Sequence, residues 1–177
     1  MRVRSFALLL TVVAVVAVAQ NPPAGRHPQS PRGDASSTFQ DGKKITVDYG
    51  RPYKRNRKIM GDLVPYGQIW RTGANAATAF STDANLLVGG TRVPAGKYTL
   101  YTLPSEGIWK LIINKQTGQW GTRYAVSQDL ARIDLQKKAL PQLVDQFTIS
   151  FEPRGPKATI MRLEWDNTSL SVNIDEQ

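Results

Sequence analysis

Turn-forming residues punctuate this chain, in places at intervals too short for helices. Gly89-Gly90, Pro94-Ala95-Gly96, Ser105-Glu106-Gly107, Pro153-Arg154-Gly155 and Asp166-Asn167 cut it into brief runs. Several runs alternate apolar and polar residues, the period-2 signature of a half-buried strand. Ile45, Val47 and Tyr49 share one face of 44–49, with Asp48 on the other. Tyr98 and Leu100 alternate with Thr99 and Tyr101, and Trp109, Leu111 and Ile113 share a face of 108–114. Further β-prone runs lie at 68–72, 77–81, 86–88, 131–135, 146–151, 158–165 and 169–174. Gly89-Gly90 predicts a two-residue hairpin, because such turns need positive φ at both positions. Helix is confined to a turn or two at 126–130 and 140–145. The pattern predicts an all-β fold: an antiparallel, jelly-roll-like sandwich of roughly nine or ten short strands. A β-barrel is the alternative.

The first residues read as a secretory signal. Arg2 and Arg4 precede an apolar stretch over 6–18, and Ala17-Val18-Ala19 is a small-residue cleavage site. Cleavage is expected between Ala19 and Gln20, leaving no transmembrane anchor in the mature chain. That stretch is shorter than the ~20 residues a spanning helix needs. Residues 20–40 hold Pro22, Pro23, Gly25, Pro28, Pro31 and Gly33 and read as a flexible leader. A single β domain is expected over 41–177. The chain is therefore expected to be exported, to a periplasm or beyond the cell.

Two absences narrow the chemistry. With no cysteine, there is no disulfide, thiol nucleophile or thiolate metal site. The only histidine, His27, lies in the expected leader. A Ser-His-Asp triad and a histidine zinc site are thus closed to the β domain. No metal or cofactor is expected. The net charge is +9, and removal of Arg2 and Arg4 lowers it by two. A basic exported protein suits solubility, or peripheral contact with an anionic envelope surface. Nucleic acid is not expected.

Several runs together are similar to one bacterial family. They are Ile45-Thr46-Val47-Asp48-Tyr49-Gly50-Arg51-Pro52, Arg57-Lys58-Ile59-Met60-Gly61-Asp62-Leu63-Val64-Pro65-Tyr66-Gly67 and Ile69-Trp70-Arg71-Thr72-Gly73-Ala74-Asn75-Ala76-Ala77-Thr78. Val93-Pro94-Ala95-Gly96-Lys97-Tyr98-Thr99-Leu100, Asn114-Lys115, Trp120-Gly121 and Leu163-Glu164-Trp165 complete the set. On these the chain resembles the domain-of-unknown-function family 2911. The resemblance implies an exported, β-rich bacterial protein and assigns no functional residue. Asn56 stands where the family tends to have glycine, which reads as a loosely constrained loop.

The candidate ligand-binding residues are Arg71, Thr72, Asn75, Arg51, Trp120 and Tyr124. Arg71 offers a planar donor fork beside Thr72 and Asn75, suited to a carboxylate, phosphate or sugar. The alternative is structural, with Arg71 in a buried ion pair with Asp48. Arg51, Lys54, Arg55, Arg57 and Lys58 form a basic run without an acid, either an anion-docking loop or a solvated one. Trp120 and Tyr124 read as an aromatic platform or as a plug at a sheet edge. Asp48, Asp62, Glu152, Glu164 and Asp166 are the acids that paired-carboxylate hydrolysis would need. The leading expectation is a non-catalytic binder of a small polar or anionic ligand or an envelope glycan. A carboxylate-dependent hydrolase of envelope polysaccharide and an envelope interaction protein are the alternatives.

Overall fold

A computed structural model describes residues 30–177. Its strands are β1 (Arg32–Thr38), β2 (Lys44–Gly50), β3 (Thr78–Thr82), β4 (Leu86–Val88), β5 (Thr91–Val93), β6 (Gly96–Leu103), β7 (Trp109–Asn114), β8 (Asp129–Gly155) and β9 (Ala158–Glu176). One 3-10 turn spans Val126–Gln128, and the described residues contain no α-helix. The fold is all-β. Every strand pairing is antiparallel, in the single order β1-β2-β3-β6-β7-β8-β9-β4-β5. The sheet is open, with β1 and β5 at its ends, so the barrel alternative fails.

Two long bent strands fold this sheet over its own core. β8 pairs with β7 through Asp129–Leu135, then with β9 from Gln136 onward. Its register with β9 shifts between Ala139 and Val144 and again before Thr148. Pro141 lies in the first irregular stretch, where a residue without an N–H cannot extend the ladder. The apolar faces then meet: Ile45, Val47, Leu100, Leu111 and Ile113 share one buried cluster with Phe147, Ile149, Met161, Leu163 and Val172. The outer face of β6 and β7 is covered too. There Tyr101 and Ile112 pack with Ala77, Ile69 and Tyr124. The connections 51–77 and 115–128 supply this cover, and they also build the cleft described below.

The alternation at 44–49 and the Gly89-Gly90 hairpin are present, the two glycines lying at φ +53° and +81°. Other expectations need correction. Residues 32–38 are not leader but β1, paired with β2 from Arg32↔Gly50 to Thr38↔Lys44. Runs 131–135 and 146–151 are parts of one strand, as are 158–165 and 169–174, so two strands are long rather than short. Residues 140–145 are extended within β8 rather than helical. Residues 68–72 make only the isolated bridge Trp70↔Thr102. The signal segment, its Ala19-Gln20 cleavage site and His27 lie outside the described residues. Among the described residues, no helix is long and apolar enough to cross a membrane.

Candidate functional site

The loop from Trp70 to Ala77 is clamped on three sides by backbone. Trp70 exchanges N–H···O bonds with Thr102 at 2.8 and 2.9 Å. The Ala74 N–H donates to the Gly50 carbonyl at 3.2 Å, and the Gly121 N–H donates to the Asn75 carbonyl at 3.1 Å. The Thr78 hydroxyl donates to the Thr72 carbonyl at 2.7 Å. Two glycines make these approaches possible. A Cβ on Gly50 would sit 2.2 Å from the Ala74 oxygen. One on Gly121 would sit 2.3 Å from Arg71 Cδ, so the missing side chain leaves room for the arginine stem.

The clamped loop is also strained. Among the described residues, the non-glycine positions at positive φ are Arg55, Asn56, Thr72, Asn75 and Asp166. Each lines the cleft described next or adjoins a residue that does. Thr72, at φ +54°, is β-branched and wholly buried, the costliest combination of the five. Such strain persists only where the surroundings over-determine it, and it concentrates at functional sites.

Between this loop, the 52–63 connection and Trp120 lies a cleft of about 620 Å3. That is within the roughly 300–1,000 Å3 range of small-molecule sites. Its apolar wall belongs to an aromatic cluster. Trp70 stacks on Trp165 at 5.9 Å and meets Phe147 edge-on at 4.9 Å. Trp165 is anchored by its indole N–H, which donates to the Asp145 carbonyl at 3.1 Å. Trp120 stands apart, 54% exposed, with its ring available to a ligand. The polar lining includes Arg55, Arg57, Arg71 and Asn75, and no carboxylate lines the cleft among the described residues. Arg57 bonds the Tyr53 and Lys54 carbonyls at 2.5 and 3.0 Å, which fixes its position but leaves its charge. Arg71 has no ion-pair partner among the described residues.

Arg71, Asn75 and Trp120 therefore line one cleft, and the three other candidates do not line it, although Tyr124 shares a smaller depression of about 280 Å3 with Trp70 and Arg71. Thr72 is enclosed, with its hydroxyl 3.4 Å from that of Thr102. Arg51 donates to the Phe147 carbonyl at 3.3 Å and to the Thr148 hydroxyl at 3.0 Å, and its stem crosses Gly33. It fastens β2 to β8. Tyr124 shares no platform with Trp120. Its ring packs edge-on against Tyr101, and its hydroxyl lies 2.5 Å from Asp129 and 2.9 Å from Arg132. Burial, and then the hydrogen bond to Asp129, push the Tyr124 phenol up to about 12. Burial likewise raises Tyr101, against the opposing influence of the Gln119 hydrogen bond and the Arg71 charge.

The Arg71–Asp48 ion pair does not form. Asp48 faces outward and pairs with Arg32 on β1. The other acids are dispersed. Glu152 pairs with Arg162, Asp166 with Lys54 at 2.9 Å, and Glu164 accepts from the Ser169 hydroxyl at 2.9 Å. None of the five acids named above lines the principal cleft. No group of three potential metal ligands occurs among the described residues. Asn56 corrects a further expectation. It lies at φ +57°, a conformation that glycine and then asparagine tolerate best, so the loop is conformationally constrained. Trp165 and Leu63 also line the cleft and were not among the candidates. Trp165 carries a core-strand signal, and nothing local shows that its ring edge reaches a surface.

Fold and cleft together define an antiparallel β protein with a cationic, aromatic-walled surface site. The chain belongs to the family described as Protein of unknown function (DUF2911), whose model matches residues 30–174. No curated protein and no solved structure matches it.

Proposed function

We propose that this is a non-catalytic binding protein whose cleft at Arg71, Asn75 and Trp120 takes a small anionic ligand with a flat apolar face. An acidic sugar has this form. The observation that carries the reading is the lining itself: three arginines and no carboxylate beside an exposed tryptophan. Arginine side chains only donate hydrogen bonds, so they favour a ligand rich in acceptors. A neutral glycan also needs acceptors for its hydroxyl protons, and Asn75 is the one lining side chain with a strong acceptor besides Ser30. Negative charge on the ligand answers Arg55, Arg57 and Arg71 at once, and a sugar's C–H face suits the Trp120 ring. The clamped, strained loop supports the reading, because it holds Arg71 and Asn75 in place before a ligand arrives.

Export belongs to the same proposal. It rests on Arg2 and Arg4, the apolar stretch and the Ala17-Val18-Ala19 site. Mass measurement of the protein recovered from its own cells tests it, with a chain beginning at Gln20 expected and an intact Met1 contradicting it.

Binding is tested by a thermal-shift panel of uronic acids, phospho-sugars, dicarboxylates and their neutral counterparts. A ligand at 100 times its Kd adds about 2.7 kcal/mol of stability. Acidic sugars should raise the midpoint, and Arg71→Ala should remove the shift. A shift from neutral sugars alone, or one unchanged in Arg71→Ala, would defeat the reading.

A further inference from the structure

The principal cleft adjoins another. The chain that places Arg57 in the first cleft continues into Lys58, and Trp165 continues into Asp166. Lys58 and Asp166 line a second cleft of about 410 Å3. The two clefts thus draw on the same two stretches of chain, at Arg57-Lys58 and at Trp165-Asp166. Lys54 sits at this seam, its ammonium donating to Asp166 at 2.9 Å and to the Arg57 carbonyl at 3.1 Å.

The second cleft repeats the chemistry of the first. Tyr66 gives it an aromatic wall, and Lys58, Lys137 and Lys138 give it cations. Lys137 donates to the Glu106 carbonyl at 2.9 Å, which positions its charge without neutralising it. Lys58 and Lys138 have no ion-pair partner among the described residues. The one carboxylate in the lining, Asp166, is offset by Lys54.

A compact anion would need only one such depression. Two adjoining clefts, each with an aromatic ring beside cations, fit a ligand whose own structure repeats as a ring bearing an acid. We propose that the clefts form one continuous groove for a linear acidic saccharide. One uronate-type unit lies on Trp120 and Arg71, and a later unit lies on Tyr66 and between Lys58 and Lys138. This rests on the reading of the principal cleft as an anion site. A polyphosphate would match the charges but give the rings nothing to stack on, so the aromatic walls favour the saccharide.

The test is calorimetric titration at low ionic strength with galacturonate and galacturonate oligomers of increasing length. Linking units raises affinity only if both clefts engage, and at least a tenfold gain, roughly, is expected between monomer and long oligomer. The double variant Lys58→Gln/Lys138→Gln should keep the monomer affinity and lose the gain with length. Arg71→Gln should weaken monomer and oligomer alike. Monomer binding with no gain along the series would overturn the groove and leave the principal site standing. A gain that survives in the double variant would overturn it as well. Failure of every acidic sugar would defeat the underlying reading itself. Polyphosphate binding as tight as that of the oligomers, and unchanged in Tyr66→Ala and Trp120→Ala, would overturn the saccharide assignment.

Discussion

The face enclosed by the folded sheet and the loops around the cleft are built on opposite terms. In the enclosed face, Ile45, Val47, Leu111 and Ile174 are essentially without exposure, and each conforms to the strand that carries it. Side chain, backbone and burial agree there. In the loops they disagree. Thr72 holds a conformation that a β-branched residue disfavours, glycines sit where a Cβ would strike backbone, and three arginines line one cleft without an acid. Real proteins depart from local consistency mainly at functional sites, where another requirement is being met. In this molecule the sheet supplies the stability, and the loops use part of it to hold a cationic surface in one arrangement.

That contrast can be broken from either side. The largest effect should come from the core. Leu111→Ala empties a site closed by both halves of the sheet and should cost about 2–5 kcal/mol, read as a lowered denaturation midpoint. An effect below ~1 kcal/mol would mean that the two halves do not share one core. Next is Gly50→Val. Its Cβ meets a backbone oxygen rather than a flexible side-chain end, so the 71–76 loop must move. A loss of roughly 1–3 kcal/mol is expected, together with weaker ligand binding. Loss of stability with binding intact would show that the loop's position does not matter to the site.

Asn56→Ala should cost about 1 kcal/mol, because alanine gains nothing locally at φ +57°, and Asn56→Gly should cost nothing or stabilise. Equal stabilities for the two variants would contradict the strain assigned to this loop. The smallest effect concerns pH. The phenol of Tyr124 is raised in the folded state from 10.0 to about 12. The stability it contributes is therefore complete below pH 10 and lost as pH rises toward 12. Tyr124→Phe should flatten the stability profile over that interval, and an unchanged slope would sink the assignment.

How far the sequence discloses this molecule follows the same division. Strands with one buried face announce themselves: Ile45, Val47 and Tyr49 alternate because only one side of β2 meets the core. β1 does not, since Arg-Gly-Asp-Ala-Ser-Ser-Thr has almost no apolar surface to alternate. It is fixed instead by its ladder to β2 and by the Arg51 stem lying across Gly33. The unity of β8 is hidden for a related reason. Residues 136–143 are mostly exposed and include Pro141, so they carry no periodicity and read as a break.

In the site, Arg71, Asn75 and Trp120 are legible as distinctive residue types in distinctive runs. That Arg51 and Tyr124 do not line their cleft is not. The Arg51 guanidinium is bonded to Phe147 and Thr148, almost a hundred positions away along the chain. The Tyr124 hydroxyl is held by Asp129 and Arg132, in a cluster whose geometry depends on where β8 begins. Which cations remain unpaired is a property of the tertiary structure, and it is the property on which the functional reading turns.

The most direct test of that reading compares one acid with its neutral counterpart. Calorimetric titration of galacturonate and of galactose into the wild-type protein and into Arg71→Gln isolates the charge, because the two sugars share nearly the same ring. The account predicts binding of galacturonate that weakens as salt is added, little binding of galactose, and loss of the difference in Arg71→Gln. Equal affinity for the two sugars, or a preference for galacturonate that survives in Arg71→Gln, would contradict it.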